Sequence, residues 1–444
     1  MSTIRQSASV FGTKMTQLFI AIFLSVVVNR LIGPQNRGIL ELVSTIPVLL
    51  VNIGNLGLGN AALYFIGKKT YEPETVVNTA LTASLAIGGF LCALLGGSYF
   101  FLGASIFASI PLSLVVLTGM MIPMMLVQKV FHYTLLAKGM LYLQNKIQIV
   151  SSCLNVLMTV LFVVLLRLEV KGAMLASVTS LAVVTAVYLV AITRSDTRLR
   201  FSIDFSILRN SFSFGLVPFM ALAVMNLIFR SDVFMVKYFL TDTDLGYYGL
   251  GVSLCERIWM IAESIGVVVL MKAAQSLEND SVAATARVCR VTLWITVLSC
   301  VLLGLAAPLL IPFLYGASYA PAVIPLEVLL PGIAFISVFL VLHSDLTGRG
   351  QAKCTLYVFS CFLVVNIILN LILIPWAGIA GSALASTISY GGGSLTLAVC
   401  YARKYGIRVS ELLIVERRDI DDILLPFLQR LAGRRRVEKA PAEP

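Results

Sequence analysis

Apolar residues in this chain come in long runs separated by short polar and basic clusters. Each run has the roughly 20 residues that an α-helix needs to cross a hydrocarbon core. The first six lie near Ser9–Ile32, Ile39–Ile66, Thr75–Leu102, Ile106–Leu136, Lys146–Leu168 and Gly172–Ile192. After a polar, basic stretch from Thr193 to Asn210 the pattern resumes near Ser211–Leu240, Leu245–Met271, Val288–Tyr315, Val323–Leu346, Cys354–Pro375 and Gly378–Tyr401. In lipid every backbone group must be paired internally, which runs of this length achieve as helices. The pattern predicts an all-α polytopic membrane protein of about 12 transmembrane helices, with 1–193 as an N-terminal six-helix lobe and 194–210 as a basic cytoplasmic linker. A C-terminal six-helix lobe follows over 211–402, then a basic amphipathic cytoplasmic tail over 403–444.

Composition agrees with that reading. The 444 residues are 59% hydrophobic and 12% charged, where soluble domains carry about 45–50% and about 25%. Lys and Arg collect on one side of the predicted spans, at Lys68, Lys69, Lys138, Lys146, Arg194–Arg209, Lys272, Arg287, Arg349, Lys353 and the tail. On the other side only Arg30, Arg37, Arg167, Lys171 and Lys237 fall near span ends. Cytoplasmic loops hold the excess of such bases, so both termini are expected in the cytoplasm. The net charge of +11 is then a matter of topology and gives no reason to expect nucleic acid as a partner. The eight cysteines include no C-x-x-C pair, so neither a metal site nor a disulfide framework is expected. No small-residue cleavage site follows Arg5 and its apolar run, which reads as an uncleaved first helix.

The two halves repeat each other. His132, Leu135, Lys138 and Gly139 align with His343, Leu346, Arg349 and Gly350, and these are the only two histidines in the chain. Gly172, Leu175, Ala176, Ser177 and Ser180 align in nearly the same register with Gly381, Leu384, Ala385, Ser386 and Ser389, each set opening the sixth helix of its half. A weaker echo pairs Phe11 and Gly12 with Phe214 and Gly215, and Gly38 with Gly246. Direct repetition of six-helix units predicts two lobes of like orientation around a central cavity.

With Arg30 to Gly38 after the first span, Arg230 to Asp232 in the seventh, Leu245 to Tyr248 opening the eighth, and the Lys138, Gly139 and Gly172 to Ala176 segments, nearly the whole chain resembles the multidrug/oligosaccharidyl-lipid/polysaccharide exporter superfamily. Within it the resemblance is to the bacterial O-antigen and capsule repeat-unit flippases. That resemblance implies a V-shaped alternating-access bundle in the inner membrane. It would carry an undecaprenyl-pyrophosphate-linked oligosaccharide outward, with membrane lipids and glycan polymerase or assembly proteins as partners. Members often have two further helices, which this sequence lacks.

Charge inside a span marks a pathway or a structural pair. Arg230 and Asp232 sit deep in the seventh span and point in different directions, so one can face the cavity while the other pairs elsewhere, with Glu256 or Arg257 as partners. A pyrophosphate cargo calls for bases, and Arg30, Lys129, Arg230 and Arg257 are the candidates, arginine through its fork of donors. For Arg30 the competing role is an interfacial anchor beside Gly33 and Pro34; for Lys129 it is snorkelling to the cytoplasmic face. Asp232, Glu256, Glu263, Glu327 and Asp345 are candidates to couple H⁺ or Na⁺ entry to export, with no other cofactor expected. His132 and His343 are expected to cap or gate more than to relay protons. Leu412, Leu413, Ile420, Phe427 and their neighbours form the apolar face of the tail, which is expected to lie at the membrane interface with Arg434–Arg436 on anionic headgroups.

Two other functions compete. A multidrug or cation antiporter of the same superfamily calls for an acidic, aromatic cavity, whereas the predicted charge is mixed. A membrane glycan-processing enzyme calls for a sizeable outer loop or an ordered acid and histidine cluster; all predicted outer loops are short. No ATP-binding glycine-rich motif is present, so transport is expected to draw on a gradient.

Overall fold

The computed structural model describes residues 3–103, 106–195, 197–273, 278–416 and 419. The side chains of 3–15, 18, 102, 212–218, 261, 264, 267, 268, 270–273 and 278–281 lie outside that description. The helices are α1 (Thr3–Gly54), α2 (Leu58–Gly67), α3 (Pro73–Leu102), α4 (Leu112–Ala137), α5 (Leu141–Thr159, extended by a π turn over Val160–Leu165) and α6 (Glu169–Thr193). They continue as α7 (Phe205–Phe239), α8 (Asp242–Ala273), α9 (Glu278–Tyr315), α10 (Val323–Gly348), α11 (Ala352–Tyr405) and α12 (Val409–Leu413).

Among the described residues nine helices are long and apolar enough to cross a membrane. Two of these cross twice. In α1 the bend is at Gly33, whose φ of 73° only glycine adopts readily, and Pro34 follows it. The chain doubles back there, since Gln17 and Asn52 both reach the surroundings of Lys129. In α11 the bend is at Gly378, with φ of 59°, and Gln351 at one end accepts from Lys404 at 2.5 Å and Tyr405 at 3.0 Å at the other. Helix α8 adds a further crossing; its mid-helix Glu256, Arg257 and Glu263 keep it out of the strongly apolar set. Twelve crossings result, as expected, in a V-shaped bundle of two six-helix lobes.

One end of the bundle carries the Gly33 and Gly378 bends and the connections α7–α8 and α9–α10. The other carries the linker between α6 and α7. That linker is strapped to the first lobe, with Lys138 Nζ donating to Ser195 O at 2.7 Å and Thr197 Oγ1 at 2.6 Å. Asn78 donates to Arg198 O at 3.0 Å and accepts from Arg200 N at 2.9 Å. The strapping starts α7 at Phe205, ahead of the expected Ser211, with Asp204 as N-cap accepting from Ser206 N at 2.8 Å.

Except at the start of α7, the described lobe contacts concentrate toward the Gly33 end. There Tyr319 OH donates to Asn29 O at 3.1 Å, and the backbones of α1 and α8 touch where Gly38 meets Asp242 and Gly246. In the second lobe α10 is the central helix, with Leu326, Ile336, Phe339 and Leu342 fully buried among α8, α9 and α11.

The described part of the tail docks on α9. Leu412 is fully buried, Trp294 Nε1 donates to Leu413 O at 3.0 Å, and Arg290 grips Asp419 at 2.7 Å. Ile420, Phe427 and the Arg434–Arg436 cluster lie outside the described residues.

Candidate functional site

In the middle of the apolar part of α7, Phe219–Phe239, Asn226 and Arg230 are four residues apart and share a helix face. That face meets the first lobe. Asn52 Nδ2 of α1 donates to Asn226 Oδ1 at 2.6 Å, and Lys129 Nζ of α4 donates to Asn52 Oδ1 at 2.6 Å. A continuous chain of polar groups thus joins a base of one lobe to the helix that carries a base of the other. Arg230 Nη2 donates to Glu256 Oε2 of α8 at 3.0 Å, while Glu256 Oε1 has no hydrogen-bond partner among the described residues. Glu41 of α1 adds a second acid to this cluster. It is paired with Arg37 at 2.5 Å and lies near enough to Arg230 to interact electrostatically. One side of the cluster is aromatic: Phe229 packs on Trp259 at 4.6 Å and on Tyr390 at 5.4 Å between ring centroids.

Asp232, two residues past Arg230, points away into the second lobe and is buried. Its carboxylate accepts from the Val233 backbone N at 2.8 Å and from the Tyr248 hydroxyl. Tyr248 also reaches Ser382, whose hydroxyl donates to Asn370 Oδ1 at 2.7 Å. Asn370 donates to Asn366 Oδ1 at 3.1 Å, and Ser231 donates to the same oxygen at 3.4 Å. This ring of buried oxygens and amides surrounds an acid with no cation in direct contact among the described residues.

The remaining predicted residues are dispersed. Arg30 is exposed at the Gly33 end and donates to Phe313 O at 2.5 Å, an anchoring contact between lobes. Arg257 is half-buried and lies near Glu256. Glu263 is exposed. Glu327 is exposed beside an apolar groove of about 570 Å³ lined by Val301, Leu305, Leu330 and Phe335. Asp345 is fully buried and satisfied by Arg349 Nε at 2.7 Å, Thr285 at 2.9 Å and Tyr401 at 2.9 Å, so its charge is matched on the spot. His132 pairs with Gln144, and His343 is stacked against Phe339 with a centroid separation of 5.7 Å.

The charge-based expectation did not single out Glu41, Asn52, Asn226, Asn366 or Asn370. The signal for the four asparagines is an uncharged amide standing alone in an apolar run. Asn366 and Asn370, four residues apart on α11, are the clearest case.

A family model described as polysaccharide biosynthesis protein matches residues 27–324. An uncharacterized membrane protein of Methanocaldococcus jannaschii is 28% identical over 144 residues, which is 32% of this chain, and the match spans about a third of that relative's length, 34%. Among solved structures, the lipid II flippase MurJ in an inward closed conformation superposes with a TM-score of 0.71 at 16% identity, covering 99% of this chain and 94% of that one. An inward-facing multidrug resistance MATE family transporter superposes with a TM-score of 0.65 at 16% identity, covering 88% and 94%. At such identities the likeness is one of fold.

Proposed function

The chain belongs to the polysaccharide biosynthesis protein family, and from that premise we propose that it is a flippase moving an undecaprenyl-pyrophosphate-linked oligosaccharide from the cytoplasmic to the outer leaflet of a bacterial inner membrane. One observation carries the reading: bases from both lobes converge inside the bundle, Lys129 through Asn52 and Asn226 to within about a helix turn of Arg230. A multiply charged pyrophosphate leaving the headgroup layer needs cationic donors at that depth. Donors supplied by both lobes also make cargo binding depend on how the lobes are set, which is what alternating access requires. With the lobes joined at the Gly33 end, this conformation is the one that loads from the linker end. The concentration of Lys and Arg at the linker end supports placing that end, and both termini, in the cytoplasm.

Coupling fits Asp232 best. It is a buried acid ringed by neutral oxygens, where H⁺ or Na⁺ would complete the charge balance, whereas Asp345 already has Arg349. The cation-antiporter reading is the second in line, carried by Glu41 and Glu256 at the cleft. Both acids are held by arginines, which leaves an organic cation no free counter-charge there.

The test is translocation of a lipid-pyrophosphate-linked oligosaccharide in reconstituted vesicles, with and without an imposed proton or sodium gradient. Protein-dependent, gradient-dependent flipping is expected. Movement of organic cations in its place would transfer the protein to the antiporter reading.

A further inference from the structure

The first lobe holds a groove that the base cluster does not use. Two pockets of about 280 and 360 Å³ share Gln17, Met125, Ser151 and Leu181 and so form one space between α1, α4, α5 and α6. It runs from His132 and Gln148 near the linker end, past Lys129, to Met121, Asn155 and Ser177 beyond the middle of their helices. Gln148, Ser151 and Asn155, at i, i+3 and i+7 on α5, line up as a single polar stripe facing this space. None of the three side chains has a hydrogen-bond partner among the described residues, and the buried Ser180 hydroxyl opposite has none either.

At membrane depth an unpartnered polar group costs several kcal/mol unless it lines a cavity whose contents satisfy it. The contents must therefore supply hydrogen bonds. They must also be uncharged over most of their length, because Lys129 is the one charged residue among the described lining and no carboxylate is present to hold a cation. Amides and hydroxyls offer donors and acceptors together, as a polyol does, and Met121, Met125, Leu24 and Leu181 supply apolar patches for C–H faces.

We propose that this groove is the glycan seat: sugar hydroxyls bind the α5 stripe and Gln17, with the phosphate end directed past Lys129 into the interlobe cleft. The proposal rests on the flippase reading and adds to it a specific place for the sugar.

The test uses the full chain in lipid nanodiscs and two probes, farnesyl diphosphate and farnesyl-diphosphate-linked N-acetylglucosamine. Wild type should bind the glycosylated probe more tightly. Gln148→Leu and Asn155→Leu should each weaken that probe about tenfold, the cost of leaving a sugar hydroxyl unpaired, and leave farnesyl diphosphate unchanged. Replacing an unpartnered polar group by leucine suits a lipid-embedded helix, and Ser151→Ala supplies a smaller change in the same stripe. Unchanged binding of the glycosylated probe by all three variants would overturn the glycan seat and leave the flippase reading standing. Failure of wild type to bind either probe would remove both.

Discussion

Gly38 and Gly246 face each other across the two lobes, so close that a Cβ on Gly38 would lie 3.0 Å from Gly246 N and one on Gly246 would lie 3.1 Å from Gly38 N. The same added carbons would collide with the Asp242 and Pro34 carbonyls. Small residues let membrane helices approach backbone to backbone, and here they close the Gly33 end. Gly38→Val or Gly246→Val should therefore insert normally but hold that end apart and cut flipping about tenfold or more. Spin labels at Gln35→Cys and Tyr238→Cys would report the separation. A wild-type distance together with wild-type flipping in both variants would remove this contact from the transport cycle.

The Arg230–Glu256 pair permits a cycle that separates packing from cargo binding. Removing Arg230 alone strips the half-buried Glu256 of its direct ion-pair partner, so Arg230→Ala should lower the melting temperature. Arg230→Ala/Glu256→Ala should recover most of that loss. If Arg230 holds pyrophosphate, flipping stays down by about tenfold or more in the double variant, since a charge-assisted contact to cargo is gone. Recovery of flipping along with stability would make the pair purely structural.

Much of this arrangement was legible in the sequence, and the limits have physical causes. Long apolar runs fixed the number of crossings because lipid permits so few alternatives, and the repeat paired Gly38 with Gly246 before any contact was known. Charged residues in spans pointed to Arg230, Asp232 and Glu256 because burying an ion is costly. The pairing was open because Arg230 and Asp232 lie on one helix and their partners on others. Asn52, Asn226 and the α5 stripe escaped notice because an amide in an apolar run changes hydropathy little. Their role appears only when four helices bring them around one space. The docking of the tail was equally hidden, since Leu412 reads the same whether it meets lipid or α9.

The tail contact has a pH dependence of definite sign. Asp419 accepts from Arg290 Nε at 2.7 Å, and this guanidinium, with Arg287 at 3.2 Å, holds its carboxyl below the usual range. A lowered native value means that the contact's stabilisation is complete above the unfolded carboxylate range, about pH 3.9, and is lost as pH falls through the native value. Hydrogen-exchange protection in residues 406–416, taken relative to the intrinsic rate at each pH, should be high at pH 7 and fall below pH of about 4. In Asp419→Asn it should be low at both. High protection at pH 7 in Asp419→Asn would mean that Leu412 and Trp294 hold the segment without the ion pair.

Asp232 and Asp345 are both fully enclosed acids of the second lobe, and their neighbours assign them different work. Asp345 has a guanidinium at 2.7 Å and two hydroxyls, so its charge is balanced within the protein. Asp232 has a tyrosine hydroxyl, a backbone amide and a ring of asparagines and serines, and the base beside it in sequence is turned to Glu256. On the coupling proposed above, an acid so placed takes up a proton or a cation when Arg230's field is diverted to cargo, which would tie ion binding to the state of the cleft. Asp232→Asn supplies that neutral form permanently. Flipping down a cargo gradient should persist in this variant within a fewfold of wild type, while the acceleration by an imposed proton or sodium gradient disappears. Asp345→Asn should instead lower the melting temperature, by removing the carboxylate that Arg349, Thr285 and Tyr401 share, and keep the gradient response. A gradient response that survives in Asp232→Asn and vanishes in Asp345→Asn would reverse the assignment.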